Sequence, residues 1–343
     1  MDYFLAKRYL DALPDWEVGR SALGPIEHYL PRMRALLARL GEPQQGFRSV
    51  IVGGTNGKGT VASLLAALLQ TQGHSVGLYT SPHLHTQRER IRINGEILSK
   101  DQWAAATAQL DDCTRDFERE DLEGFSKFEA VTGLAAWVFA EQGVDFGIFE
   151  VGLGGRYDAT NAWDAELAVL TSVGLDHVEL LGETLEEIAA DKLHIARRGH
   201  ALVTTAAQEP EVLALMRQTC AERGVELQVA GCEWTLGKLV GRPTTYGENA
   251  RLAQQAVGAL VGELADEVIR KVVEGHRWPG RFEVAQDKPL VLLDGAHNPA
   301  SAQALASDLQ RLGAEWVLVV GVGLGHDAAG ILQALKPVAQ RVV

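Results

Sequence analysis

Apolar runs alternate along the chain with amphipathic stretches, which is typical of an α/β protein with a mostly parallel sheet. Predicted helices separate these runs, the first ending before Gly73 and a later one beginning with a capping box of Thr184 and Glu187. Asn94-Gly95 predicts a tight hairpin turn. The predicted strands are RSVIVGG, SVGLYT, DFGIFEV, AELAVLTSV, ALVTTA and VELQVA, and the helices include TVASLLAALLQTQG, KFEAVTGLAAWVFAEQG and GETLEEIAADKLHIARRG.

The strand pattern weakens between about Gly231 and Gly280, which indicates a change of domain. KPLVLLDGAHNPASAQALASDLQRLG then predicts a new strand, turn and helix, with Pro299 near the helix start. WVLVVGVG begins another such unit, and the sequence stops at the strand-like QRVV. We therefore expect a first domain over residues 1–240, a linker at 241–247 and an α/β domain over 248–343 that is cut short.

The composition narrows the class of protein. With 343 residues, 46% of them hydrophobic, the chain can build two cores. A net charge of -13 disfavours nucleic acid or an anionic membrane as the main partner. The three cysteines show no paired or metal-binding spacing, and neither a signal peptide nor a membrane-spanning run is recognisable. We expect a cytoplasmic protein, and a monomer.

The stretch VGGTNGKGTVAS lies between a predicted strand and a predicted helix. Free N–H groups and the helix dipole at such a junction favour a bound phosphate. In the usual phosphate-binding loop, Gly-Lys is followed at once by a Ser or Thr that holds Mg²⁺, but here Gly59 separates Lys58 from Thr60. Either the glycines form an ordinary tight turn, or the loop binds a nucleotide and the magnesium ligand comes partly from elsewhere.

Further chemically useful residues follow predicted strands, where ligands of open α/β sheets bind. Glu150 ends DFGIFEV and could hold Mg²⁺, although a solvated glutamate is common there. His177 follows AELAVLTSV, and an ordinary surface or core histidine is the alternative. Lys192 lies among acidic residues of a predicted helix, and a solvated lysine paired with these residues is the alternative interpretation. In DGAHNP a capping turn explains Asp294 and Asn298 but leaves His297 without a role.

The order of the motifs resembles the folylpolyglutamate synthase and dihydrofolate synthase family of ATP-dependent Mur-type ligases. The resemblance runs from about Phe4 to the last residue, and TSPHL and RYDATN favour the folate branch over the cell-wall branch. It implies a P-loop mononucleotide-binding domain with a mostly parallel sheet and a smaller C-terminal α/β domain. The motifs are GGTNGKGT, TSPHL, FEVGLGGRYDATN, LDHVELLGETLEEIAADK, WPGRFE and DGAHNP.

The resemblance also implies roles for individual residues. Ser81 and Glu150 would hold one Mg²⁺ ion and His177 a second, while Lys192 corresponds to a lysine that is commonly carbamylated in the family. Lys58, Glu150, His177 and Lys192 would carry the catalysis. The residues implied to contact ATP are Thr55, Asn56, Gly57, Lys58, Gly59, Thr60, Asn249, Arg281, Asp294 and His297. Those implied to meet the pterin end of the substrate are Ser126, Lys127, Phe128, Glu129, Tyr157, Asp158 and Ala159.

The implied reaction joins the amino group of L-glutamate to a carboxylate of dihydropteroate or of a folate that already carries glutamate. ATP would first convert this carboxylate to an acyl phosphate. Addition of the first and of later glutamates uses the same chemistry, so the sequence leaves that choice open. The alternatives are a cell-wall amino-acid ligase, a P-loop NTPase without ligase activity, and a nucleotide-binding protein without catalysis.

Overall fold

The computed structural model describes residues 1–15, 26–115, 124–237, 239, 241–313, 315–323 and 326–343. Its helices are α1 (Tyr3–Ala12), α2 (Tyr29–Arg39), α3 (Lys58–Thr71), α4 (Lys100–Thr114), α5 (Lys127–Glu141), α6 (Val178–Leu181), α7 (Leu185–Lys192), α8 (Pro210–Arg223), α9 (Thr244–Val261), α10 (Asp266–Gly275), α11 (Pro299–Arg311) and α12 (Ala328–Leu335). Its strands are β1 (Arg48–Gly53), β2 (Val76–Tyr79), β3 (Ile91–Ile93), β4 (Glu96–Ile97), β5 (Phe146–Glu150), β6 (Leu167–Leu170), β7 (Ala201–Thr205), β8 (Glu226–Ala230), β9 (Glu283–Asp287), β10 (Leu290–Leu293), β11 (Trp316–Leu318) and β12 (Ala339–Val342).

The first eight strands form one sheet in the order β4-β3-β2-β5-β1-β6-β7-β8. The strands from β2 to β8 in that order pair in parallel, and β3 and β4 add an antiparallel edge. Strands β1, β5 and β6 are buried along almost their whole length, because helices cover both faces. The prediction of a mostly parallel α/β fold is confirmed.

Three apolar clusters pack on this sheet. Helices α3, α9 and α10 cover one face, with Val50 and Val52 of β1 pointing into that cluster. Helices α1, α2, α4 and α5 cover part of the other face, and α7 and α8 cover the rest around Ile51. The side chains of successive residues of β1 thus point to opposite faces of the sheet, as strand geometry requires. No helix in the described parts of the chain is both long and apolar enough to cross a bilayer.

A second, smaller core forms from β9 to β12 with α11 and α12. Strands β9 and β10 make an antiparallel hairpin, while β11 and β12 pair in parallel. Helices α9 and α10 instead share the core of the large sheet, although the sequence pattern placed residues from 248 onward in the second domain. We therefore propose that the division between the two domains follows Gly275.

Several local predictions are confirmed. The Thr184 side chain accepts a hydrogen bond from the Glu187 N–H, and the Glu187 carboxylate accepts one from the Thr184 N–H in return. Asn94 and Gly95 both have positive φ at the turn between β3 and β4. Pro299 occupies the first turn of α11. Short-range patterns of this kind are decided by local sterics and capping, which the sequence states directly.

We expect Gly77→Ala to destabilise the protein and Gly258→Ala to leave it unchanged or more stable. A Cβ atom at Gly77 would lie 2.4 Å from Cδ1 of Phe139, and overpacking of this kind costs about 1–3 kcal/mol. A Cβ atom at Gly258, inside α9, meets nothing within 4 Å, so the substitution gains up to about 1 kcal/mol of helix propensity. Urea unfolding of both variants measures the difference, and equal free energies of unfolding would contradict the packing around β2.

Candidate active site

The loop between β1 and α3 is shaped by two glycines with positive φ. Gly54 has φ +134°, and a Cβ atom there would lie 1.8 Å from the Thr171 hydroxyl. Gly57 has φ +87° and caps α3, where a Cβ atom would lie 2.6 Å from the Asn249 side-chain oxygen. Only glycine permits both the backbone conformation and the close approach. The loop therefore places free N–H groups of the α3 N-terminus at the carboxyl end of β1, where an anion is favoured.

Two lysines converge on this loop. The Lys58 ammonium donates hydrogen bonds to the carbonyls of Gly54 and Thr55, at 3.2 and 3.1 Å. The Lys192 ammonium, from the end of α7, donates to the same Gly54 carbonyl at 3.1 Å. Lys192 is buried, so the solvated helix lysine that local sequence favoured is not what the fold produces.

The shared location changes the ionisation of both lysines. Burial, and after it the nearby positive charge of Lys58, lower the pKa of Lys192 to about 7. Burial also lowers the pKa of Lys58, against the opposing effect of the Glu150 carboxylate. At neutral pH a substantial fraction of Lys192 is therefore an uncharged amine, the form in which a lysine acts as a nucleophile.

Glu150 ends β5 beside the same loop, because it pairs in register with Val52 of β1. Its carboxylate is buried and accepts a hydrogen bond of 3.0 Å from the Ser81 N–H, which follows β2. Burial raises the pKa of Glu150, while the charge of Lys58 opposes the shift. Ser81, Glu150 and Lys58 thus meet at the ends of three neighbouring strands, as the strand-end rule predicted.

His177 belongs to a second group, after β6. It has φ +49°, an uncommon conformation for a residue other than glycine. Its ring lies 6.0 Å from that of His326, which lies 5.4 Å from the ring of His297. Asp176 lies between these histidines, 3.9 Å from His177 and 3.7 Å from His297. Burial lowers the pKa of His177, whereas Asp176 opposes this shift.

Asn298 joins the second core to the loop. Its side-chain amide donates hydrogen bonds to Asn56 at 3.2 Å and to Asp176 at 3.0 Å. Asn298 is buried and also caps α11 through Ser301. The DGAHNP turn is therefore brought against the phosphate-binding loop across the boundary between the two cores.

Arg281 and Asp294 face this cleft from the second core. The Arg281 guanidinium donates to the Gly295 carbonyl at 3.1 Å, and its positive charge acts on both Lys58 and Glu150. The Asp294 carboxylate accepts hydrogen bonds from the N–H groups of Phe282 and Ala296. Asp294 consequently fastens the two turns that carry Arg281 and His297.

Oxygen donors suited to Mg²⁺ are present, in the Glu150 carboxylate and the Ser81 hydroxyl. Within the described ranges, no group of three or more His, Cys, Asp or Glu side chains is arranged to hold a metal ion. His177 is grouped with Asp176, separately from Ser81 and Glu150. The donor chemistry of Ser81 and Glu150 fits a hard cation.

The SKFE segment at the start of α5 is tied to the protein itself. The Glu129 carboxylate is buried and receives hydrogen bonds from Arg32 at 2.8 and 3.0 Å. Ser126 forms a capping box with Glu129, and Lys127 pairs with Asp11 and Asp15. The half-buried Phe128 ring lies against Gly152 in the loop after β5 and against the Tyr79 ring. A substrate contact by the Glu129 carboxylate would have to compete with its buried ion pair.

The RYDATN segment is similarly anchored. The Asp158 carboxylate accepts hydrogen bonds from the N–H groups of Gly152, Leu153 and Thr160, and from the Thr160 hydroxyl at 2.6 Å. These contacts fold the loop after β5 back on itself. Ala159 is buried, whereas Tyr157 is half-buried beside Arg156. Of the three, only Tyr157 presents a side chain to the surface.

Remaining loop residues are held by β6 and α9. The Thr55 hydroxyl donates to the Gly174 carbonyl and accepts from the Gly174 N–H. Asn249 lies on α9 beside Gly57, and Thr60 is buried in the first turn of α3. A nucleotide contact by Asn249 would therefore come from a helix of the large core.

Sequence reasoning missed several residues of this cleft, His326 beside His177 and His297 among them. Asp176 lies three residues after the end of a predicted strand and directly before His177, so the rule that drew attention to His177 could have found it as well. Asn298 was explained as a helix cap, which it is, but no local signal shows its contact with Asn56. Trp278, in WPGRFE, lies beside Gly59, and no local signal indicates that neighbour either.

The comparisons with known proteins agree with this geometry. The Mur ligase middle domain matches residues 52–227, and the Mur ligase glutamate ligase domain matches residues 280–343. The fold and cleft are thus those of a Mur-type ligase. Dihydrofolate synthase/folylpolyglutamate synthase of Bacillus subtilis is 35% identical over 333 residues, covering 88% of this chain and 76% of the relative.

Solved structures give the same answer. An FPGS complex with AMPPCP and folate superposes with a TM-score of 0.90 at 29% identity, covering 99% of this chain and 88% of the other. Escherichia coli FolC in complex with DHPP and ADP gives 0.85 at 32% identity, covering 100% and 83%. The chain belongs to the dihydrofolate synthase/folylpolyglutamate synthase family.

We expect Glu129→Gln to lower the free energy of unfolding by about 3–5 kcal/mol, because it leaves the Arg32 charge buried and unbalanced. The matched control is Glu166→Gln, which breaks the exposed Arg48–Glu166 pair and should cost no more than about 1 kcal/mol. Urea unfolding of both variants checks the difference. A Glu129→Gln variant as stable as the control would show that the buried ion pair does not hold α2 to α5.

Proposed function

We propose that this protein is an ATP-dependent ligase that joins L-glutamate to a carboxylate of dihydropteroate, of a folate, or of both. The observation that carries the proposal is the meeting of a glycine loop, two lysines and a buried glutamate at one edge of the sheet. A polyanionic nucleotide is the substrate that the positive charges of Lys58 and Arg281 and the free N–H groups of the loop suit. Family membership adds the identity of the ligated substrates.

In this proposal ATP lies between the two cores. Residues Thr55 to Thr60 surround its phosphates, with Lys58 released from the carbonyls of its own loop to contact the outer phosphates. Arg281 and the turn from Asp294 to His297 approach from the other side. Asn249 contributes from α9, next to Gly57.

The central difficulty of the reaction is electrostatic. A carboxylate must attack the terminal phosphate of a polyanion, and two unit charges about 4 Å apart repel by roughly 4 kcal/mol at an effective dielectric near 20. Lys58 and Arg281 offset this repulsion and favour the charge that develops on the phosphoryl oxygens. Mg²⁺ would supply further charge compensation there, held by Ser81 and Glu150 at one site and by His177 at another.

The acyl phosphate intermediate explains why the proposed site lies between two cores. The carboxylate oxygen bonds to the terminal phosphorus while ADP departs, and the glutamate amine then displaces phosphate from the acyl carbon. The acyl phosphate must be kept from water until the amine attacks. The Asn298 hydrogen bonds to Asn56 and Asp176 hold the second core over the loop and support this shielding role.

The pterin end of the substrate is proposed to lie beside the SKFE and RYDATN segments. Phe128 and Tyr157 offer aromatic surface there, which suits a flat heterocycle. Ser126, Lys127, Glu129 and Asp158 act in this proposal by fixing the shape of that wall, since their polar side chains are bonded within the protein. Ala159 contributes to the same wall as a buried apolar residue.

Lys192 is proposed to carry a carbamate. The uncharged amine attacks CO₂ and releases a proton. A carbamate anion then stands where a lysine cation would otherwise be. The pKa of about 7 makes the uncharged amine available at neutral pH. The change of sign also removes the repulsion between Lys192 and Lys58.

The remaining expectations are that the enzyme acts as a monomer in the cytoplasm on small molecules alone. The net charge of -13 supports the lack of a nucleic-acid partner.

Phosphate release measured with ATP and L-glutamate tests the proposed function, with dihydropteroate, with tetrahydrofolate or with neither. Turnover that requires both glutamate and a pterin acceptor supports the ligase, and the preferred acceptor shows whether first or later glutamates are added. Hydrolysis that needs no acceptor would instead support an NTPase, and a requirement for a UDP-linked acceptor would support a cell-wall ligase.

We expect Glu150→Gln to lower turnover by about 100-fold or more while binding of an ATP analogue persists, because the variant removes the buried carboxylate but keeps its shape. Steady-state kinetics and calorimetric titration measure the two effects. Glu166→Gln, which breaks the exposed ion pair with Arg48, is the control and should leave turnover unchanged. Full activity of Glu150→Gln would remove this carboxylate from the reaction.

We expect ¹³C-labelled bicarbonate to produce a carbamate NMR signal that Lys192→Ala abolishes. The signal should grow as the pH rises through about 7 and fade below it, because only the uncharged amine reacts. Lys271→Ala, which changes an exposed lysine of α10, should leave the signal intact. Activity of Lys192→Ala that is restored by short carboxylic acids would agree with the same role. A spectrum without any Lys192-dependent signal would contradict it.

A further inference from the structure

Trp278 lies at the phosphate-binding loop without a role in the proposed chemistry. A Cβ atom at Gly59 would be 3.2 Å from the Trp278 indole nitrogen and 3.3 Å from a Glu150 carboxylate oxygen. The indole N–H and the Glu150 carboxylate therefore border the same small space above the first turn of α3. A larger residue in place of Gly59 would intrude on this space, which gives a physical reason for the glycine between Lys58 and Thr60.

The Trp278 ring is held in this place from two sides. The ring of His276 stacks on it at 6.5 Å with an interplanar angle of 11°. The Arg92 guanidinium, from β3, lies 5.5 Å from the ring centroid. Such a cation over an indole face is favourable, and it orients the ring.

His276 is itself anchored to the helix that begins at the loop. Its Nε2 atom lies 2.9 Å from the Ser63 hydroxyl of α3, and its Nδ1 atom lies 3.2 Å from the Tyr246 hydroxyl of α9. The tryptophan is thus positioned by contacts with α3, α9 and β3 together. This arrangement fixes the ring before any ligand binds.

The indole N–H is a hydrogen-bond donor with one possible direction. Within the part of the chain that the structure describes, no side chain or backbone group accepts a hydrogen bond from it. Here the donor borders the N-terminal turn of α3, where an anionic oxygen is favoured.

We propose that Trp278 is a nucleotide-binding residue whose indole N–H donates a hydrogen bond to a phosphoryl oxygen of ATP at the α3 N-terminus. The inference rests on the proposed binding of ATP at this loop. It adds a hydrogen-bond donor from the WPGRFE segment, three residues before Arg281. Arg92 and His276 are positioning residues for this donor. The bond is charge-assisted, because its acceptor is a phosphate oxygen.

The test compares the binding of a non-hydrolysable ATP analogue to the wild type and to Trp278→Phe by calorimetry. Loss of a hydrogen bond to a charged group should weaken binding by about 10- to 100-fold. Adenosine, which lacks all of the phosphates, should bind both proteins equally. A similar loss for adenosine would place the effect at the nucleoside and overturn the proposal, as would unchanged binding of the analogue.

A second variant separates the N–H from the packing of the ring. A benzothiophene analogue of tryptophan, introduced at position 278 alone, keeps the two-ring shape and lacks the donor. It should lose as much affinity as Trp278→Phe, whereas wild-type affinity would assign the Phe effect to packing. The loss of affinity for the analogue should persist when both titrations are repeated without Mg²⁺. A loss of affinity that appears only with the metal would mean that Trp278 acts through Glu150 and would contradict the proposal.

Trp234→Phe is the matched control, because Trp234 is also half-buried and packs on the same core as Trp278. Its affinity for the analogue should equal that of the wild type. The wild-type titration also keeps the two proposals apart. A wild type that fails to bind the analogue would contradict ATP binding at the loop, whereas normal wild-type binding with no effect of the position 278 variants would contradict only the role of Trp278.

Discussion

The structure depends on the concentration of charge at the carboxyl edge of the large sheet. Lys58 and Lys192 donate to one carbonyl, that of Gly54, and Glu150 faces them from the next strand. Burial disfavours the charged form of each group, so the pKa values of the lysines fall and that of the glutamate rises. A polyanionic ligand favours the charged form of Lys58, which is why the loop suits nucleotide chemistry.

Strand order explains how these groups come together. In the order β2-β5-β1-β6, the strand ends carry Ser81, Glu150, the glycine loop and His177 in turn. Parallel strands end at the same edge of the sheet, so four separate segments contribute to one cleft directly from the ends of their strands. The second core adds only short turns, and Asn298 fastens them to the loop.

The fold was predictable to the extent that it is local. Buried strands, capping boxes, the hairpin turn and the helix start at Pro299 follow from spacing and backbone sterics. The assignment of α9 and α10 to a core was not predictable in this way. An amphipathic helix shows that it needs an apolar partner, but its own pattern does not say which sheet supplies that partner.

The sequence by itself determined the α/β alternation, the glycine loop and the ordered motifs that resemble one ligase family. Tertiary structure alone decided which side chains meet, such as Lys192 with Gly54, 138 residues apart along the chain, or Glu129 with Arg32. The physical reason is that a residue's charge state and partners depend on burial and packing across the sheet. Spacing along the chain records neither, so the local pattern around Lys192 indicated a solvated lysine, whereas the fold buries it.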